Sequence, residues 1–259
     1  VNAPGPGSRT VALPAYPPKR AARRRTLHTG EGWFAWAGAA LFAASLSYFL
    51  YTYAFTFAES TVGDVSLADA AADVALFTVF ALHHSLFARE GVRAWVSRTL
   101  SPAVERSAYV WAASLMLIGV CASWRPIPGV AWQLPSAWAW LPPVAQLGGI
   151  ALTLRSAAVI DVWDLAGVRQ ASTPQEVGGS EFRIEGPYGW VRHPIYLGWF
   201  VIVFCVGTMT MTRLLFAVTS AAYILIAIPF EERSLRRASA GAYDRYIQVV
   251  PWKLIPRLY

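Results

Sequence analysis

The chain has 259 residues, 56% of them hydrophobic and only 14% charged, with a formal net charge of +7. A soluble domain carries about 25% charged residues, so the deficit indicates a bilayer solvent and excludes an ordinary water-soluble globule. The 22 Lys and Arg are scattered between apolar runs rather than gathered on one face, which argues against nucleic acid as a partner.

Residues 1–32 are rich in Pro, Gly, Ala and Arg, lack a helical period, and read as a disordered basic tail. Residues 33–259 read as a single transmembrane domain. Apolar runs at 33–57, 67–87, 107–124, 138–160, 195–211 and 214–229 predict an all-α integral membrane fold of about six spanning helices. The basic residues fall in alternate connections. Arg89, Arg93, Arg98 and Arg106 lie in one, Arg169, Arg183 and Arg192 in another, and Arg233, Arg236, Arg237, Arg245, Lys253 and Arg257 follow the last run. The intervening connections hold only Arg125 and Arg213. By the positive-inside rule both termini are expected in the cytoplasm. Cys121 and Cys205 sit inside apolar runs, so neither a disulfide framework nor a CxxC motif is present.

Only Thr212 and Arg213 separate the last two runs, which predicts a tight helical hairpin with both open ends on the cytoplasmic side. Arg192-His193-Pro194 opens its first helix, and Pro is well tolerated there because its missing N–H would be unpaired anyway. The free N–H groups and positive dipole end of such a terminus suit a carboxylate. Glu231 and Glu232 close the second helix, where acids oppose the dipole and helix stability does not explain them. They suit a cation, such as an ammonium or a sulfonium. A zwitterionic amino acid with a positive sulfur nearby satisfies both ends. Interfacial anchoring explains Arg192, His193 or Tyr196 taken singly, but not two acids set against all three.

Gly186-Pro187-Tyr188, Val191-Arg192-His193-Pro194, Tyr196 and Gly198 are followed by Glu231-Glu232, Gly241, Tyr243, Tyr246, Val250-Pro251 and Ile255-Pro256. This series resembles the signature of the isoprenylcysteine carboxyl methyltransferase and phospholipid methyltransferase superfamily, over about residues 165–256. The resemblance implies S-adenosyl-L-methionine as cofactor, bound at the cytoplasmic end of the hairpin. It implies that Tyr188, Arg192, His193 and Tyr196 line the cofactor, with Glu231 or Glu232 at its amino or ribose end. It adds Gln170, Phe182, Arg183 and Ile184 before the Gly186 turn. Ala240 departs from the pattern, which often has an aromatic residue there.

A narrower resemblance, to bacterial methanethiol S-methyltransferases, rests on His84-Ser85, Glu105-Arg106, Tyr109, Ala113-Ser114, Trp124-Arg125-Pro126 and Pro128, with Trp132 following. Asp164-Leu165, Gly167, Arg169-Gln170 and the Thr208-Met209-Thr210-Met211 tip extend it. It implies a small thiol acceptor and a bacterial cytoplasmic membrane. A thiol reacts as thiolate, so cationic or basic groups near it are candidates for catalysis: His193, Arg169 and His84 foremost, with His83 and Arg106 beside them. His83 and His84 lie inside the second run, where an ionisable side chain marks function or an interhelical hydrogen bond. Adjacent histidines point about 100° apart on a helix, so no metal site is expected. The same signature leaves open a prenyl-cysteine carboxylate or a phospholipid amine as acceptor. It also leaves open an NADPH-dependent membrane reductase and a non-catalytic membrane protein.

Overall fold

A computed structural model describes residues 29–87, 90–96, 98, 102–166, 168 and 184–259. The long apolar runs form α1 (Thr29–Ala54), α2 (Leu67–Phe87), α4 (Pro102–Ser123), α5 (Leu141–Ile160) and α8 (Met211–Ala238), each long and apolar enough to cross a membrane. Shorter helices are α3 (Glu90–Val96), α6 (Val162–Leu165), α7 (Pro194–Phe204) and α9 (Ala242–Val249). Of the basic tail, only the residues from Thr29 onward are described, and they already belong to α1.

The fifth apolar run departs from the expected helix. α7 has 11 residues, about 16 Å of rise, roughly half a hydrocarbon core. Beyond Phe204 the chain extends into β2 (Thr208–Thr210), which pairs antiparallel with β1 (Val130–Gln133) through Thr210 opposite Val130 and Thr208 opposite Gln133. Extended backbone at a membrane face must find partners inside the protein. The Leu134 N–H donates to the Gly207 carbonyl at 2.8 Å, and Met211 N–H to Gly129 at 2.9 Å. The hairpin tip is therefore a strand, and Thr212 and Arg213 lie buried in the first turn of α8 rather than in a loop.

Arg213 is held by backbone carbonyls. Its guanidinium donates to Tyr53, Thr208 and Ala54 oxygens at 3.0, 2.7 and 2.8 Å, so it caps the C-terminal carbonyls of α1, where the dipole favours a cation. Arg125, the other basic residue at that end, bonds Asp69 at 3.1 Å, and its N–H donates to the buried Asp73 carboxylate. Phe216 sits at the centre of the adjacent core, ringed by Phe49, Tyr53, Phe57, Phe77, Trp124 and Trp199.

From this end the helices run to the other, where the polar site lies. The Gly186–Gly189 turn and α9 lie at that site end, joined by the bond from the Tyr246 hydroxyl to the Tyr188 carbonyl. α5 and α7 pack closely there and along their length: the Gln146 amide donates to the Ile202 carbonyl at 2.9 Å. Loop charge predicts which end is cytoplasmic. Cysteine placed at Arg257 should react only with a reagent supplied from the cytoplasmic side, and cysteine at Asp64 only from outside; the reverse pattern would invert the topology.

Candidate functional site

α8 has 28 residues, about 42 Å, which exceeds a hydrocarbon core of about 30 Å. Glu231 and Glu232 therefore emerge near the membrane boundary. Adjacent residues on a helix diverge by about 100°, and the two acids part company. Glu232 turns inward and is buried; Glu231 keeps 43% of its side chain exposed.

Glu232 is enclosed by an ion pair and an imidazole. Arg192 Nε donates to its Oε1 at 2.8 Å, and His193 Nε2 lies 3.3 Å from the same oxygen. Arg192 also donates through Nη1 to the carbonyls of Val250 and Pro251 at 2.9 and 2.6 Å. Main chain completes the clamp: Arg192 N–H donates to Trp252 and His193 N–H to Lys253, each at 2.9 Å. A buried charge pair is tolerable only with its remaining hydrogen bonds met, and here the C-terminal segment meets them. Tyr243 sits against Glu232 and Arg192.

Glu231 faces the open side. The Tyr196 hydroxyl donates to its Oε2 at 2.8 Å, and His193 Nδ1 stands 3.7 Å away. The His193 and Tyr196 rings stack with centroids 5.4 Å apart. Below them the turn Gly186–Gly189 needs a left-handed residue at its start, which Gly186 supplies at φ +57°. Tyr246 donates to the Tyr188 carbonyl at 2.7 Å and anchors that turn on α9. Burial pushes the Tyr188, Tyr243 and Tyr246 hydroxyls well above the ordinary tyrosine range, so they stay protonated at neutral pH.

Of the residues expected from sequence, Tyr188, Arg192, His193, Tyr196, Glu231 and Glu232 come together here. Ile184 packs instead on the Tyr243–Tyr246–Val250 cluster. Arg169, Gln170, Phe182 and Arg183 lie outside the described residues. His84 belongs to a second polar group, deeper along α2, where Tyr109 of α4 bonds its Nδ1 at 2.8 Å. Ser85 and Tyr223 of α8 form an adjoining pair at 2.7 Å. Tyr223 lies within electrostatic reach of both Glu231 and Tyr196. Sequence reading missed Tyr223, since a tyrosine in an apolar run carries no signal until a neighbour supplies its hydrogen bond.

The fold and site together define a multi-pass integral membrane protein with a cluster of two acids, Arg192, His193 and Tyr196 at one end of its bundle. The chain is 35% identical over 237 residues to methanethiol S-methyltransferase 2 of Bradyrhizobium diazoefficiens, covering 85% of this chain and 91% of that protein. Against the methanethiol S-methyltransferase of Mycobacterium tuberculosis it is again 35% identical over 237 residues, 80% of this chain and 93% of the relative. It belongs to the methanethiol S-methyltransferase family of membrane methyltransferases. A more distant similarity, 30% over 182 residues, is to nurim of Pan troglodytes, covering 66% of this chain and 69% of that protein. No family model and no solved structure matches the chain.

Proposed function

We propose that this protein transfers a methyl group from S-adenosyl-L-methionine to methanethiol, giving dimethyl sulfide, in a bacterial cytoplasmic membrane. The single observation that supports the cofactor is the open Glu231 carboxylate, fixed by Tyr196 and His193 at the membrane boundary. A preoriented carboxylate with free oxygen lone pairs accepts hydrogen bonds from an ammonium group or ribose hydroxyls. When bound, the cofactor supplies an electrophilic methyl group on a positive sulfur.

The chain's own residues divide the remaining work. Glu231 binds the cofactor, Tyr196 and His193 orient Glu231, and Tyr188 with its turn forms the floor. Arg192 has its donors engaged inward, and both nitrogens of His193 face carboxylates. These two residues therefore shape the site rather than react in it. Gln170, Phe182 and Arg183 join the cofactor side by resemblance, and Arg169 and His84 belong to the acceptor side. Transfer between aligned partners needs position and desolvation more than covalent help, and a small apolar thiol reaches such a site from the bilayer or from water.

Purified protein in liposomes, given labelled S-adenosyl-L-methionine and a panel of thiols, prenyl-cysteines and phospholipids, should release labelled dimethyl sulfide into the headspace from methanethiol. Methylation of a prenyl-cysteine or a lipid with no volatile product would overturn the acceptor. Cofactor binding with no methylated product of any kind would overturn the reaction.

A further inference from the structure

The second polar group, between α2, α4 and α8, is unused by the cofactor side. His84 keeps an open side chain and is bonded through Nδ1 to the Tyr109 hydroxyl. Ser85, its chain neighbour, bonds Tyr223, which stands eight residues before Glu231 on α8. Tyr223 lies within electrostatic reach of Glu231 and of Tyr196, the residue that orients Glu231. The His84–Tyr109 pair therefore adjoins the side on which Glu231 opens.

Resting on the thiol-acceptor reading, we propose that Tyr109 and His84 form a proton relay that converts the bound thiol into its thiolate. The Tyr109 hydroxyl and His84 Nδ1 lie 2.8 Å apart; in the tautomer that carries its proton on Nε2, Nδ1 accepts from the hydroxyl. The thiol S–H bond breaks, its proton passes to the Tyr109 oxygen, and the Tyr109 proton passes to His84 Nδ1. The electron pair left on sulfur is the nucleophile that accepts the methyl group. The resulting imidazolium returns its Nε2 proton to solvent through the open side of the His84 ring.

The surrounding groups suit an anion at that place. Arg106 lies over the Tyr109 ring at 5.1 Å, and its buried Nε has no hydrogen-bond partner among the described residues. A guanidinium N–H without a partner is a donor for the developing sulfur anion. The other titratable groups facing the pair are His83, stacked on Tyr109 with an Nδ1 that has no hydrogen-bond partner among the described residues, and Tyr223. On the cofactor side Tyr196, which holds Glu231, lies within electrostatic reach of Tyr109. The Glu231 charge is matched by the cationic cofactor when both are present, so it does not oppose the thiolate.

The test compares wild type with Tyr109→Phe and His84→Gln. Both variants should bind S-adenosyl-L-methionine within about twofold of wild type by calorimetry, which also shows that the site has folded. Their kcat on methanethiol at pH 7 should fall about 100-fold, the usual contribution of a positioned base. It should recover by about tenfold per pH unit as solution thiolate replaces the relay. Without cofactor, the ultraviolet difference band of thiolate should appear on adding methanethiol to wild type at pH 7 and be missing in both variants. Wild-type kcat and pH profile in either variant would overturn the relay, as would loss of cofactor affinity in both, which would assign the pair to the cofactor half. Wild type that makes no dimethyl sulfide overturns the proposed function itself and is read before any variant.

Discussion

Replacing Glu232 by Ala should lower the stability of the protein by about 3–5 kcal/mol, the cost of stranding a buried cation whose partner has been removed. Arg192 would keep its carbonyl contacts to Val250 and Pro251 but lose the carboxylate that neutralises it. The His193 Nε2 would lose its partner as well. Glu231→Ala should behave oppositely. That side chain is half-exposed and gives up one hydrogen bond from Tyr196, so the melting transition in detergent should stay close to wild type. Its effect belongs to the ligand: about 2 kcal/mol of binding, roughly a thirtyfold weaker Kd for S-adenosyl-L-methionine. Thermal melts and calorimetry on the two variants separate the roles. A wild-type melt for the Glu232 variant, or wild-type cofactor affinity for the Glu231 variant, would remove that residue from the place assigned to it.

A second large effect is expected from one methyl group at Gly198. A Cβ there would lie 2.7 Å from the Gly149 carbonyl oxygen and 3.2 Å from the Thr153 backbone nitrogen, and would collide with Thr153 Oγ1. The hydroxyl can rotate away, but the two backbone atoms belong to α5 and cannot. Gly149 meets the reciprocal obstacle, with a Cβ 2.9 Å from the Gly198 carbonyl oxygen. Gly198→Ala must therefore push α7 off α5, and α7 carries His193 and Tyr196 at its start. Overpacking of this kind costs about 1–3 kcal/mol in a close-packed interior, and displacement of the two side chains adds a loss of cofactor binding. Gly148→Ala is the internal control. A Cβ at Gly148 meets nothing within 4 Å, and removing a helical glycine favours the helix by up to about 1 kcal/mol. Equal melting temperatures for the two variants would contradict the close approach of α5 and α7.

Most of the bundle was legible because hydropathy reports the one thing a bilayer demands, a long apolar stretch without charge. It fails where helix and extended chain are equally apolar. Residues 195–211 form one unbroken apolar run, yet the helix stops at Phe204, because Gly207 and Thr208 offer backbone to Leu134 and to β1 across the fold. Arg213 misled for a related reason. Read along the chain it is a loop charge, whereas three carbonyls from distant segments make it a buried one. At the site, sequence placed Arg192, His193, Tyr196 and the two acids at one membrane face but gave Glu231 and Glu232 a single role. Their division depends on helical phase against Arg192 and Tyr196, which only packing fixes. The His84–Tyr109 and Ser85–Tyr223 bonds lie further beyond reach, each joining helices 25 or more positions apart.

The clamp on Arg192 and His193 also makes the site depend on a segment that spans nothing. Its acceptors, the carbonyls of Val250, Pro251, Trp252 and Lys253, lie beyond the last long helix. Every spanning helix can be in place while Arg192 has nothing but Glu232 to satisfy it. Insertion into the bilayer and completion of the site are thus separable events, and a chain cut short before residue 250 would occupy the membrane without a finished site.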